Sequence, residues 1–87
     1  MDYKALVKTI ADSLVTKPEA VEVTAEKNEE GVLRVIIHVA EEDTGRVIGR
    51  RGATINAIRQ LVRVSSVKGG DSVEVDVADT GKKADAE

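Results

Sequence analysis

The chain has 87 residues, 41% of them hydrophobic, with one aromatic side chain (Tyr3), no cysteine and a formal net charge of −3. That bounds it to one domain with a modest aliphatic core, which suits helices laid on one side of a sheet. It excludes a disulfide framework and a thiolate metal site, and it speaks against a reader that stacks bases on exposed rings.

No apolar run approaches the roughly 20 residues needed to cross a bilayer. "MDYKALVKTI" has an acid at position 2 and charges among its apolar residues, so it does not read as a signal peptide; the expected location is the cytosol. Residues 2–16 repeat Tyr3, Leu6, Val7, Ile10 and Leu14 at three and four, with Lys4, Lys8 and Asp12 opposite, which predicts an amphipathic helix. Asp2 suits its N-cap and Pro18 stops it. "AVEVTAE" then alternates Val21, Val23 and Ala25 against Glu22, Thr24 and Glu26, a half-buried strand. "KNEEG" is a turn, with Gly31 able to take a positive φ.

"VLRVIIHVA" is a second strand, with Leu33, Val35, Ile37 and Val39 under the helices. Its other face, Val32, Arg34, Ile36 and His38, is only partly polar, so a central place in the sheet is expected. "EEDTGRVIG" starts with acids suited to the first turn of a short helix, capped by Asp43 or Thr44 and ended by Gly49. After "RRG" a helix runs from about Ala53 to Val67, with Ile55, Ile58, Leu61 and Val62 as its buried stripe and Asn56, Arg59, Gln60 and Arg63 opposite. "KGGD" is a loop and "SVEVDVA" a third alternating strand through Val73, Val75 and Val77. From Asp79 to Glu87 no apolar period remains, which predicts a disordered tail after a domain at 1–78. The order helix–strand–strand–helix–helix–strand predicts an α+β fold. A hairpin is extended by a parallel third strand into a three-stranded mixed sheet, with three helices on one face.

Charge is unevenly placed. From Thr44 to Gly70 the chain carries Arg46, Arg50, Arg51, Arg59, Arg63 and Lys68, while all 16 acids lie outside that window. A local positive field on an acidic body is what an anionic ligand meets. Within the window, "VIGRRGATINAIRQLV" sets two glycines around two arginines at the start of a helix. A helix N-terminus offers N–H groups and about half a positive charge to a phosphate, and guanidinium groups suit phosphate oxygens. A G-x-x-G between helices also serves as a plain tight turn, so the context decides: helical patterns on both sides, strands beyond them, and no acid for 27 residues.

With that context, "RVIGRRGATINAIRQLV" resembles the I-G-x-x-G core of a K-homology (KH) domain. The element order is similar to the bacterial type II form. The short length, "KPEAVEV" and "GRVIGRRG" resemble most the small bacterial single-KH RNA-binding proteins of the KhpA family. The resemblance covers about residues 1–78. It implies a grip on about four nucleotides of single-stranded RNA, the G-x-x-G loop clamping the backbone. Carried over, Gly49, Arg50, Arg51 and Gly52 are the clamp, Ile48 and Ile55 line an aliphatic groove for bases, and the third strand is its far wall. Arg46, Arg59 and Lys68 are the further basic candidates along the path. Ala53 stands where relatives often carry a basic residue, and the loop around Lys68 to Asp71 is very short. The resemblance also implies a homodimer, or a heterodimer with a second KH-bearing protein. It implies RNA-chaperone or post-transcriptional work linked to cell envelope and division. Ala57, Leu61 and Val64 are candidates for the contact between chains.

Catalysis finds no foothold, and no cofactor or metal is expected. Ser13, Ser65, Ser66 and Ser72 have no assignable base, and the glycines fit neither G-x-x-x-x-G-K-[ST] nor G-x-G-x-x-G. Glu41, Glu42 and Asp43 read as a solvated turn, and His38 as structural. Two rivals stand beside RNA binding: a helix-hairpin-helix module gripping DNA phosphates, which the flanking strands oppose, and a KH-like scaffold that binds a protein without touching RNA.

Overall fold

A computed structural model describes residues 2–78, so the tail expected at 79–87 lies outside the described residues. Asp2 caps α1 (Tyr3–Leu14), its Oδ1 accepting the Ala5 N–H at 3.1 Å. Pro18 then opens a single 3₁₀ turn, Pro18–Ala20, and the chain enters β1 (Glu22–Lys27). Asn28 shapes the hairpin, its Oδ1 accepting the Glu30 and Val32 N–H groups while Gly31 takes φ +84°. β2 (Leu33–His38), α2 (Thr44–Ile48), α3 (Ala53–Gly69) and β3 (Val73–Val77) follow.

The sheet order is β1-β2-β3, antiparallel between the first two strands and parallel between the last two, so β2 is central as its two-faced apolarity predicts. Val23, Val35, Ile37 and Val75 meet Tyr3, Val7, Ala11, Val47, Ile55, Ile58 and Val62 in one aliphatic core, with all three helices on the same face. Burying a Val, Leu or Ile side chain contributes about 1.5–3 kcal/mol, so this cluster is the main source of stability. Tyr3 adds a polar tie: its hydroxyl donates to Asp71 Oδ2 at 2.7 Å, closing the start of α1 onto the α3–β3 loop.

Four expectations about the fold are corrected. Ala25 is exposed, because the helices cover the Val21–Val23 end of the edge strand and stop short of it. Leu61 is 58% exposed, and Ser66 completes the buried stripe with Ile55, Ile58 and Val62. The physical reason is position: α3 rests on β3 at the rim of the sheet, so the side of the helix carrying Leu61 extends past it. The third correction concerns the cap of α2. Neither Asp43 nor Thr44 makes one, and the Thr44 hydroxyl is buried without a partner.

Asp43 is not a solvated acid either. It is fully buried at the end of a 3₁₀ turn, Glu41–Asp43. Its Oδ1 accepts the Thr16 N–H at 3.0 Å and the Thr16 hydroxyl at 2.9 Å, and its Oδ2 accepts the Lys17 N–H at 3.1 Å. The carboxylate thus fastens the chain leaving α1 to the entrance of α2. Burial pushes the Asp43 carboxyl up, but the Thr16 and Lys17 hydrogen bonds and the nearby Arg46 guanidinium outweigh that and hold it below the usual aspartate range. Lys17 and Glu42 pair beside it.

A group whose pKa falls on folding contributes stability above its unfolded pKa, about 3.9 for aspartate, and loses it as pH drops through the lowered folded value. Asp43→Asn turns an amide donor toward a backbone N–H. It is therefore expected to lower the melting temperature by several degrees at neutral pH. The gap from wild type should narrow below about pH 4 in a pH series followed by circular dichroism.

Candidate nucleic-acid interface

α2 and α3 are joined by a single 3₁₀ turn, Arg50–Gly52, and three departures from ordinary backbone within four residues make the corner. Gly49 has φ +76°, ψ 177°, a region open essentially to glycine alone. Arg51 has φ +55° and Gly52 φ +78°, both left-handed. The two glycines are needed for different reasons. A Cβ on Gly49 would stand 2.2 Å from Thr54 Oγ1 and 2.8 Å from the Thr54 backbone nitrogen, so the bend presses directly on the first turn of α3. A Cβ on Gly52 would meet nothing closer than 3.8 Å, so Gly52 serves its φ and not a close approach. Thr54, which no sequence signal marks, is the surface that makes Gly49 obligatory.

Arg50 and Arg51 are exposed at the apex, and neither guanidinium has a partner among the described residues. The amides of Gly52 and Ala53 are already taken by the Gly49 and Arg50 carbonyls. The positive character of the corner therefore rests on the guanidinium groups more than on those N–H groups. Ile48 is half-buried and remains reachable beside the corner, whereas Ile55 is only 6% exposed and belongs mainly to the core. Ala53 is exposed.

The other basic candidates separate. Arg46 is exposed but leans on Asp43, its Nε 3.7 Å from Oδ1. Arg59 is engaged by three acceptors, Val75 O at 2.9 Å, Asn56 Oδ1 at 3.0 Å and Asp76 Oδ1 at 3.3 Å. Arg63, one turn on, lines a cleft of about 240 Å³ with Arg34, Arg59 and the outer side of β3. Lys68 lies in the last turn of α3 and not in a loop; sixteen residues past Gly52, it is roughly 24 Å from the corner along the helix. Asn56, placed by the sequence on the polar side of the helix, has no site role there. It sits beside Gly52 and holds Arg59, and its i, i+3 spacing to Arg59 on a polar helix face is the signal that finds it. No group of His, Asp or Glu able to hold a metal occurs among the described residues, and no helix there is long and apolar enough to cross a membrane.

Residues 4–77, nearly all of the described chain, match the family model for the KhpA/KhpB KH domain. The chain belongs to that family. It is 42% identical over 72 residues to a Caldanaerobacter subterraneus protein named RNA-binding protein KhpA, covering 83% of this chain and 95% of that one. Clostridium perfringens has a protein of the same name that is 40% identical over 74 residues, covering 85% and 97%. A Bacillus subtilis protein, again of that name, is 33% identical over 75 residues, covering 85% and 90%. Among solved structures, an Aquifex aeolicus Era variant bound to GDP and aluminium fluoride superposes with a TM-score of 0.57 at 18% identity. The match takes in 90% of this chain and 31% of that one, a likeness of fold alone. The α+β KH architecture expected from the element order is the architecture found.

The contrast between the glycines gives a prediction. Gly49→Ala should destabilise the domain by about 3 kcal/mol or more, since it combines a glycine-only backbone with a steric overlap. Gly52→Asn, which tolerates left-handed φ, should cost less than about 1 kcal/mol. Urea unfolding of the two variants measures the difference.

Proposed function

We propose that this chain is a non-catalytic binder of single-stranded RNA that grips the sugar–phosphate backbone at Gly49–Gly52. One observation carries the reading: two adjacent guanidinium groups, unpartnered among the described residues, stand on a sharp bend inside the 27 residues that hold no acid. The relatives' name, RNA-binding protein KhpA, supports it. Phosphates sit against Arg50 and Arg51, Ile48 offers the apolar contact for a base, and the β3 side of α3 bounds the strand. Arg46 adds charge one helical turn before the clamp. A site of this size binds weakly and depends on salt. A chaperone or post-transcriptional role in the cytosol, with the envelope and division setting implied by the family resemblance, is the matching physiology.

Weak single sites gain from linkage. We infer that two chains pair through the outer side of α3, where Leu61, Val64 and Val67 are 58%, 62% and 69% exposed although large and apolar. A second KH-bearing protein is the alternative occupant of that face. The helix-hairpin-helix rival has no place for the three-stranded sheet.

Arg50→Asp with Arg51→Asp should abolish retention of labelled single-stranded RNA while the circular dichroism spectrum stays unchanged. The scaffold alternative predicts no change in RNA retention. Arg51→Ala alone should reduce the slope of log affinity against log salt by about 0.7, the share of one phosphate contact on a single strand. Sedimentation velocity should report a two-chain mass that drops to one chain in Leu61→Asp; a single-chain mass for wild type contradicts the homodimer.

A further inference from the structure

Among the described residues β3 is an edge strand, with a neighbour only on its β2 side. Val73, Val75 and Val77 stand in register with Leu33, Val35 and Ile37. At the ends of the ladder, Leu33 N–H donates to Ser72 O and Ala78 N–H donates to Ile37 O. The bonds to β2 thus come from the even-numbered residues, and Val73, Val75 and Val77 turn their N–H and C=O groups outward. Such an edge can receive whatever offers complementary donors and acceptors, another strand or the edge of a base.

The middle of this edge is covered. Arg59 Nε donates to Val75 O at 2.9 Å, and Asp76 Oδ1 accepts the Val77 N–H at 2.9 Å. The two side chains meet, Arg59 Nη2 donating to Asp76 Oδ1 at 3.3 Å, and Asn56 Oδ1 steadies the guanidinium from the clamp side. One acceptor and one donor, two residues apart, are closed by a single ion pair. Both partners are about half-exposed, at 45% and 53%, so the pair adds little to stability and opens easily. Arg59 stands seven residues past Gly52, about 10 Å along α3, within reach of a four-nucleotide strand held at the corner.

Resting on the RNA-binding reading above, we propose that the Arg59–Asp76 pair determines specificity. It hides Val75 O and Val77 N–H from bound bases, so the site grips the backbone without reading sequence. Opening the pair at Arg59 exposes the Val75 carbonyl as an acceptor that discriminates among bases, while Asp76 keeps the Val77 N–H.

The test compares oligo(A), oligo(C) and oligo(U) binding to wild type, Arg59→Met, Arg59→Lys and Arg63→Met. Wild type should hold the three nearly equally. Arg59→Met should spread them by about fivefold, the worth of one hydrogen bond. Arg59→Lys keeps the charge but lacks the fork that bridges Val75 and Asp76, so it should show the same ranking with a smaller overall loss. Arg63→Met, which removes a charge from the next turn, should weaken all three uniformly. A flat spread in Arg59→Met, or the same ranking in Arg63→Met, overturns the proposal while leaving RNA binding intact. No binding by wild type overturns the RNA reading, and this inference with it. In the free protein, nuclear magnetic resonance should find the Arg59 Nε–H exchanging more slowly than that of Arg63; equal rates would mean no cover exists, whatever RNA does.

Discussion

The contact between Gly49 and the first turn of α3 governs the rest of the molecule's working end. With 2.2 Å between Thr54 Oγ1 and the place of a Cβ, only a bare backbone lets α2 fold back against the start of α3. That closeness sets the next residues at an apex, where Arg51 is driven into left-handed φ and both arginines stand outside the core. Backbone strain of this kind persists only where the surroundings over-determine it. Here the surroundings are Val47 and Ile55, each buried in the core on either side of the corner. The proposed anion seat therefore takes its shape from helix packing and its charge from the guanidinium groups.

Around an aliphatic core, polar side chains do the fastening. Asp43 joins the α1 exit to the α2 entrance, Tyr3 joins α1 to the α3–β3 loop through Asp71, and Arg59 joins α3 to β3. These ties divide four arginines of the basic segment. Arg46 and Arg59 face acids of the same chain, while Arg50 and Arg51 have no such partner among the described residues. The net charge of −3 conceals this, because attraction for a phosphate depends on the field at the corner and not on the total.

The fold was legible because its signals are local and agree with one another. Period-two valines mark all three strands, Asp2 and Pro18 bound the first helix, and Gly49 ends the second. The parallel third strand follows from the two helices that must cross before it. What failed was long-range. Whether Leu61 is covered depends on how far α3 projects past β3, which the helix period cannot tell. Asp43 reads as one of three acids in a row, and only the fold reveals that Thr16 and Lys17 come to meet it. The glycine corner was legible in the same local way, from two glycines between two helical patterns. The state of Arg59 was not, because two of its three acceptors belong to β3, sixteen and seventeen residues away.

The central claim is that the corner from Ile48 to Ile55 is where a phosphate chain is held. Titrating isotope-labelled protein with a short oligoribonucleotide, and following each backbone amide, tests it most directly. The account predicts shifts concentrated from Ile48 through Ile55, fading as salt is raised, with the acidic hairpin at Glu26–Glu30 unmoved. Shifts confined to the hairpin or to the outer side of α3, with the corner silent at low salt, would contradict it.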